Sequence, residues 1–315
     1  VVSYTHDWAE DAQRRDFTMN ALSADREGNV FDYTDGLADL DAGHVRFIGT
    51  AADRIREDHL RILRFFRFQA TYGKTEPDPE ALVACRAAVA NLENLSGERL
   101  WQEFSRILAA AEPNGVLALM EKAHVLSCLL PVRRRLAPVR ALVALEDSVR
   151  RSPDPILRLA ALVQARQREM SQIAARFRLS RADTKRLLEL NAERGNTRPG
   201  MPELAVRRSL YALGPDFFGD LVLLDWAEAI VANAAGAAEE AVSWKQVWDS
   251  IGSWSRPGFP IGGEDALSMG VPKGPEVGEF VREVENWWVD QAFRPDRETC
   301  LDRLRRIAYR RGYRP

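Results

Sequence analysis

From Ala51 onward, apolar residues recur every three to four positions almost to the end of the chain. That spacing is the signature of one buried helix face. It predicts helices over about 51–72, 78–91, 97–110, 113–122, 155–167, 171–177, 181–193, 203–211, 216–234, 243–252, 274–290 and 296–311. Proline and glycine place breaks at Thr75 to Pro79, Pro131 to Pro138, Ser152 to Pro155 and Asn196 to Pro202, with the strongest at SRPGFPIGGED, Ser255 to Asp265. Before Ala51 the pattern differs. VVSYT reads as a short strand, DFTMNALSAD as helical, Gly28-Asn29 as a turn and VFDYT as a second strand. DGLADLDAG reads as a loop and HVRFIG as a third strand. The expected fold is α+β and predominantly α-helical, with about fifty residues of α/β character joined to a long helical region.

Composition adds limits. The 315 residues are 46% apolar and 29% charged, ordinary for a soluble globular protein. No apolar run approaches the length of a membrane span. Cys85, Cys128 and Cys300 are scattered, which suits a reducing, cytoplasmic setting and argues against structural zinc. The opening Val1-Val2-Ser3 has neither an initiator methionine nor a signal peptide, so the chain is expected to be part of something longer. Net charge is −2, but its distribution is uneven. Residues 133–189 hold fourteen Lys/Arg against six Asp/Glu, and the last sixteen residues hold six arginines against one aspartate. Such stretches either form a stripe for a polyanion or are solvated helix faces.

One stretch, IREDHLRILRFFRF (Ile55 to Phe68), carries Glu57-Asp58 before an arginine ladder, Arg61, Arg64 and Arg67. On a single helix Glu57 and Arg61 form an i,i+4 ion pair, a surface feature of a few tenths of a kcal/mol. That leaves Arg64 and Arg67 without carboxylates, and an anionic ligand is the sharper explanation. Asp58 offers only acceptors and Arg61 only donors. Cytosine and adenine each show an amino donor beside a ring-nitrogen acceptor, which matches that pair, while uracil and guanine show the reverse polarity.

These residues resemble the nucleotide-selecting motif of the class II tRNA nucleotidyltransferase and poly(A) polymerase family, most closely its bacterial CCA-adding members. RRDFTMNAL (Arg14 to Leu22), DYTDGLADL (Asp32 to Leu40) and SGERLWQEF (Ser96 to Phe104) resemble further motifs in family order. VLSCLLP (Val125 to Pro131) and DPILRLAALV (Asp154 to Val163) are similar to the helical body, and GEDALSMGVPKGPEVGEF (Gly263 to Phe280) to the tail. The resemblance implies that Asp58 and Arg61 read the incoming base and that Glu57 orients Arg61. It implies that Arg64 and Arg67 contact the nucleotide, that Arg15 touches the triphosphate and that Asp16 accepts from the ribose 2′-OH. A flexible loop with Asp32, Asp35, Gly36 and Asp39 would reshape the pocket between C and A addition. The implied organisation is a head remnant (1–50), a nucleotide-selecting neck (51–122), an RNA-binding body (123–254) and a tRNA-binding tail (255–315). Arg133, Arg134, Arg135 and Lys273 are the expected RNA contacts. The implied function is untemplated addition or repair of the CCA end of tRNA from CTP and ATP, with Mg²⁺.

The family's metal-binding Asp-x-Asp, after a Gly-Gly phosphate loop, is expected upstream of Val1, so these residues alone are expected to transfer no nucleotide. Asp39-Leu40-Asp41 spells Asp-x-Asp but sits in the flexible-loop motif, and the scattered histidines argue against a His-based metal site. Trp287-Trp288 reads as core rather than a stacking platform. Poly(A) polymerase activity and non-catalytic RNA binding remain the alternatives.

Overall fold

The computed structural model describes residues 7–313. The chain divides into two compact units, Val1–Asn196 with Leu223–Ala237, and Thr197–Val222 with Ala238–Pro315. The strand expected for VVSYT lies outside the described residues.

In the first unit, Asp7 caps α1 (Trp8–Arg14) by accepting the Ala9 N–H at 2.8 Å. The DFTMNALSAD stretch, expected to be helical, makes only a three-residue 3₁₀ turn, Thr18–Asn20. The Asp16 side chain takes the Phe17 N–H and the Asn20 amide, local bonds that compete with a helical ladder. Two short strands follow, β1 (Ser23–Ala24) and β2 (Val30–Phe31), antiparallel with Ser23 opposite Phe31. HVRFIG forms no strand; it touches the extended chain through one bridge, Phe17 to Phe47.

DGLADLDAG, expected as a loop, is the helix α2 (Gly36–Ala42). The Asp32 carboxylate accepts the N–H groups of Thr34, Gly36 and Leu37 at 3.0, 2.9 and 2.9 Å and so fixes its first turn. Gly36 is needed for space, not for backbone freedom. A Cβ there would stand 2.3 Å from the Thr18 carbonyl oxygen, and the left-handed residue is Asp35, at φ 61°.

The helix expected over 51–72 is two helices, α3 (Ala51–Glu57) and α4 (Arg61–Tyr72). Asp58 interrupts them in an extended conformation, and its Oδ1 accepts the Leu60 N–H at 3.0 Å. This is an aspartate turn replacing two helical bonds. Phe17 packs on Phe47 and Phe68 at centroid distances of 4.7 and 4.9 Å, so the buried face of α4 grips the extended segment after α1.

Next come α5 (Pro79–Ala88), a 3₁₀ segment (Val89–Asn94), α6 (Gly97–Leu108), α7 (Asn114–Lys122) and α8 (Val125–Leu129). Asp78 caps α5 with Pro79 as its first residue, where no N–H is needed. β3 (Arg133–Arg134) precedes α9 (Leu136–Ser148), a helix that the prolines concealed. Pro138 is its third residue, and the first turn of a helix has no partner for that N–H. α10 (Pro155–Leu162) stops before the expected 167 because β4 (Val163–Gln164) pairs with β3. α11 (Gln167–Arg176) and α12 (Arg181–Glu193) follow. Phe104 stacks on Phe177 at 5.6 Å, joining α6 to the end of α11.

The second unit holds α13 (Glu203–Leu213), and the chain continues through α14 (Pro215–Ala232) and α15 (Ala237–Gly252). Within the expected break after Ser255 lies a short helix, α16 (Gly263–Ser268), followed by α17 (Pro275–Asp290) and α18 (Arg297–Arg310). Their core includes Tyr211, Phe280, Val284, Trp288, Cys300 and Leu304. Trp288 is buried with its indole N–H on the Pro295 carbonyl at 2.9 Å, and Trp287 packs partly buried beside it, so this pair is core as expected. Among the described residues no helix is long and apolar enough to cross a membrane.

Candidate nucleotide-selecting site

The end of α1, the α3–α4 junction and α6 bring most of the expected nucleotide-binding residues together. Arg61 opens α4. Its guanidinium donates to Glu57 Oε2 at 2.5 Å and to the carbonyls of Arg54 and Arg14 at 3.0 and 3.3 Å. Glu57 also accepts from Arg54 at 2.9 Å. Some desolvation raises the Glu57 pKa, but the two arginines outweigh it and hold the group below the usual carboxylate range. Arg54 reaches back to the Gln13 carbonyl at 2.8 Å. The orientation of Arg61 is therefore fixed from both sides of the junction.

Asp58 is not one helical step from Arg61 on a continuous helix, because it lies in the break between helices. Its Oδ1 is held by the Leu60 N–H and its Oδ2 by Arg99 of α6 at 2.7 Å. A carboxylate has roughly four lone-pair positions, so two remain, on a side chain 36% exposed.

Arg64 and Arg67 have carboxylates, but from distant segments. Arg64 Nε donates to Asp16, and its NH1 stands 3.9 Å from Glu103 Oε1. Arg67 Nε donates to Glu103 Oε2 at 2.5 Å and lies over the Phe68 ring at 4.5 Å. Burial of Asp16 pushes its pKa up, but hydrogen bonds from Arg64, Asn20 and the Phe17 N–H overcome this and leave it lowered. Burial works against Arg64 in the same way, and Asp16 raises it above its ordinary value. With its carboxylate only 4% exposed, Asp16 here orients Arg64 rather than facing solvent. Arg15 is half-exposed, tied to Asp11 at 3.0 Å and the Asn20 carbonyl at 3.2 Å.

Arg99 and Glu103 are the residues that sequence reasoning missed. Both lie in SGERLWQEF, where the Ser96 cap and Gly97 set the start of α6. Their spacing of four, on the helix facing α4, was the available signal.

The flexible-loop residues lie apart from this network. Asp39 is buried, accepting from Thr18 Oγ1 at 2.5 Å and from Arg46 at 3.0 Å. It is a structural carboxylate and does not fit a metal ligand. Among the described residues no group of three or more His, Cys, Asp or Glu side chains could hold a metal ion. The magnesium that the resemblance implies thus finds no fit among them, and the chemistry available here is selection and orientation.

The expected RNA contacts divide. Arg134 donates to both Glu121 oxygens at 2.9 and 2.8 Å and to the Leu130 and Val132 carbonyls at 2.7 Å. Arg135 pairs with Glu228 at 2.7 Å. Both guanidiniums are committed to the protein itself, which corrects the expectation of three open arginines. Arg133 is exposed, and Lys273, in the second unit, is exposed in the turn before α17.

A helical chain that clamps an acceptor and a donor beside an arginine row has the features of a nucleotide-binding transferase. Residues 1–46 match the poly A polymerase head domain, and residues 76–135 match the probable RNA and SrmB-binding site of polymerase A. The chain is 30% identical over 309 residues to the mitochondrial CCA tRNA nucleotidyltransferase 1 of Danio rerio, covering 96% of this chain and 68% of the relative. It is 31% identical to the CCA-adding enzyme of Streptococcus pneumoniae serotype 19F, covering 97% of this chain and 74% of the relative. The solved Bacillus stearothermophilus CCA-adding enzyme in complex with CTP shares the fold, with a TM-score of 0.67 at 20% identity, over 98% of this chain and 76% of that one. The Thermotoga maritima CCA-adding enzyme complexed with tRNA_CCA gives 0.60 at 20% identity, over 95% of this chain and 74% of that one. The chain belongs to the CCA-adding tRNA nucleotidyltransferase family.

Proposed function

We propose that this protein serves in the untemplated addition or repair of the 3′-terminal CCA of tRNA, taking CTP and ATP as substrates in a magnesium-dependent reaction. In this reading the α3–α4 junction selects the nucleotide. The observation that carries it is the pairing of two fixed groups, Asp58 restrained by the Leu60 N–H and Arg99, and Arg61 restrained by Glu57. One presents acceptors and the other donors, the polarity that cytosine and adenine complement. Arg64 and Arg67, with Arg15, lie on the triphosphate side, and Asp16 acts there by orienting Arg64. Asp32, Asp35, Gly36 and Asp39 support that chamber through Thr18, and Arg133 and Lys273 face the RNA.

The test is equilibrium affinity for each of the four nucleoside triphosphates. Asp58→Ala removes the acceptor for the exocyclic amino group. The preference for CTP and ATP over UTP and GTP is expected to drop about tenfold, the scale of one charge-assisted hydrogen bond. Arg64→Ala is expected to weaken all four alike, since a triphosphate carries no base identity. Unchanged preference in folded Asp58→Ala protein would refute the assignment.

A further inference from the structure

A cleft of about 490 Å³ opens between the start of α7, the outer face of α9 and the residues leading into α10. None of the residues assigned to nucleotide selection or RNA contact lines it. At its wall is a buried ion pair. Arg158 spends Nε and NH2 on Glu146 Oε2, both at 2.7 Å, and NH1 on the carbonyls of Leu108 and Ala110, both at 2.6 Å. Both side chains are 98% buried, since each is 2% exposed. Glu146 Oε1 is left buried without a hydrogen-bond donor. An acceptor removed from water and unpaired calls for an N–H or O–H donor.

The opposite character gathers at the other lining residues. Asn114 begins α7, a nine-residue helix whose start has no side-chain cap. A Cβ at Gly115 would meet nothing within 4 Å, so the free N–H groups of that first turn are open to a ligand. Arg140, exposed and without an ion-pair partner among the described residues, and Arg151 line the same cleft. An uncapped helix start with two guanidiniums is a site for a phosphate. Exposed Glu112 and Asp147 also line it and oppose a longer, more highly charged polyphosphate.

We propose that this cleft binds a nucleoside monophosphate, its phosphate at the α7 start with Arg140 and Arg151, and the amino group of its base donating to Glu146 Oε1. The volume is within the range of small-molecule pockets. The amino-bearing bases, adenine and cytosine, satisfy an acceptor-only oxygen, and the site needs no residue of the α3–α4 junction.

The experiment is a titration of ¹⁵N-labelled protein with AMP, following the Gly115 and Val116 amide signals. Saturable shifts at millimolar AMP or below are expected, with inorganic phosphate binding more weakly. Arg140→Ala, a surface change, is expected to weaken AMP about tenfold. Glu146→Gln keeps an acceptor for Arg158 but turns a donor toward the ligand, and is expected to erase the preference for AMP over phosphate. Equal binding of phosphate and AMP by the unaltered protein, unshifted amides at millimolar AMP, or an unchanged affinity in Arg140→Ala would each overturn the proposal. Arg64→Ala serves as the separating control: it weakens the junction and leaves the Gly115 response in place.

Discussion

Arg61, Arg64 and Arg67 stand three apart on α4, while Arg133, Arg134 and Arg135 are consecutive around β3. In the first group, successive arginines point along a slowly turning row and meet carboxylates from three different segments, Glu57, Asp16 and Glu103. In the second, the extended backbone sends neighbours to opposite sides. Arg134 is clamped to Glu121, Arg135 to Glu228, and only Arg133 is left facing solvent. A run of like charge in a sequence gives the sum of charges; it does not give how many are already committed. The helical row remains partly exposed and organised around a junction, as a binding site requires. The consecutive triplet acts mostly as a set of bolts holding α8, α9 and their neighbours.

The strongest way to break this contrast is Glu103→Ala. It leaves Arg67, 15% exposed, and Arg64 facing a buried gap, and should cost about 3 kcal/mol of stability together with nucleotide affinity. Chemical denaturation and a nucleotide titration on the same protein measure both; loss of neither would mean that α6 does not support the row. Arg134→Ala should cost about 2 kcal/mol by stranding Glu121 and two carbonyls, without altering nucleotide choice. If it weakened tRNA binding while leaving stability intact, Arg134 would belong to the RNA face after all.

Acid sharpens the comparison further. Asp16 and Glu121 are both held below their ordinary values of 3.8 and 4.5. A depressed carboxylate contributes stability above its unfolded-state pKa, and that contribution disappears as pH falls through the folded value. The loss should therefore begin near pH 4.5 for the Arg134 clamp and near pH 3.8 for the Arg64 pair. Glu121→Gln should flatten the earlier part of the acid limb and Asp16→Asn the later part, in denaturation followed against pH. Identical limbs in all three proteins would contradict the linkage. The smallest effect is expected for Arg133→Glu, with stability within about 0.5 kcal/mol and tRNA affinity reduced with a shallower salt dependence. An unchanged salt slope would remove Arg133 from the RNA face.

Much of the helical architecture was legible because an amphipathic face repeats over many residues. α6, α7, α12, α17 and α18 fall close to the periodic stretches that predicted them. The misreadings have local causes. Asp58 satisfied Leu60 with its side chain and split a helix that periodicity alone made continuous. Pro138 looked like a breaker but occupies a helix position that needs no N–H. Asp35-Gly36 looked like a loop, whereas the glycine lets α2 start against the Thr18 carbonyl. Within the site, Glu57–Arg61 was readable from an i,i+4 spacing. Arg99 with Asp58, and Glu103 with Arg67, were not, because those partners meet across 41 and 36 residues and only the fold brings them together.

On α4 each guanidinium has its own carboxylate: Glu57 for Arg61, Asp16 for Arg64 and Glu103 for Arg67. Anion capture along this row is therefore a substitution, in which phosphate oxygens take the place of protein oxygens. A monovalent ion such as chloride could displace one carboxylate and would then compete alone with the remaining, covalently anchored ones. A triphosphate brings linked replacements, so the second and third exchanges are intramolecular and carry the advantage of high effective concentration. The row then works as a filter on valence before any base is read. Its mark would be affinity climbing from mono- to di- to triphosphate in chloride buffers that leave the protein's own pairs in place.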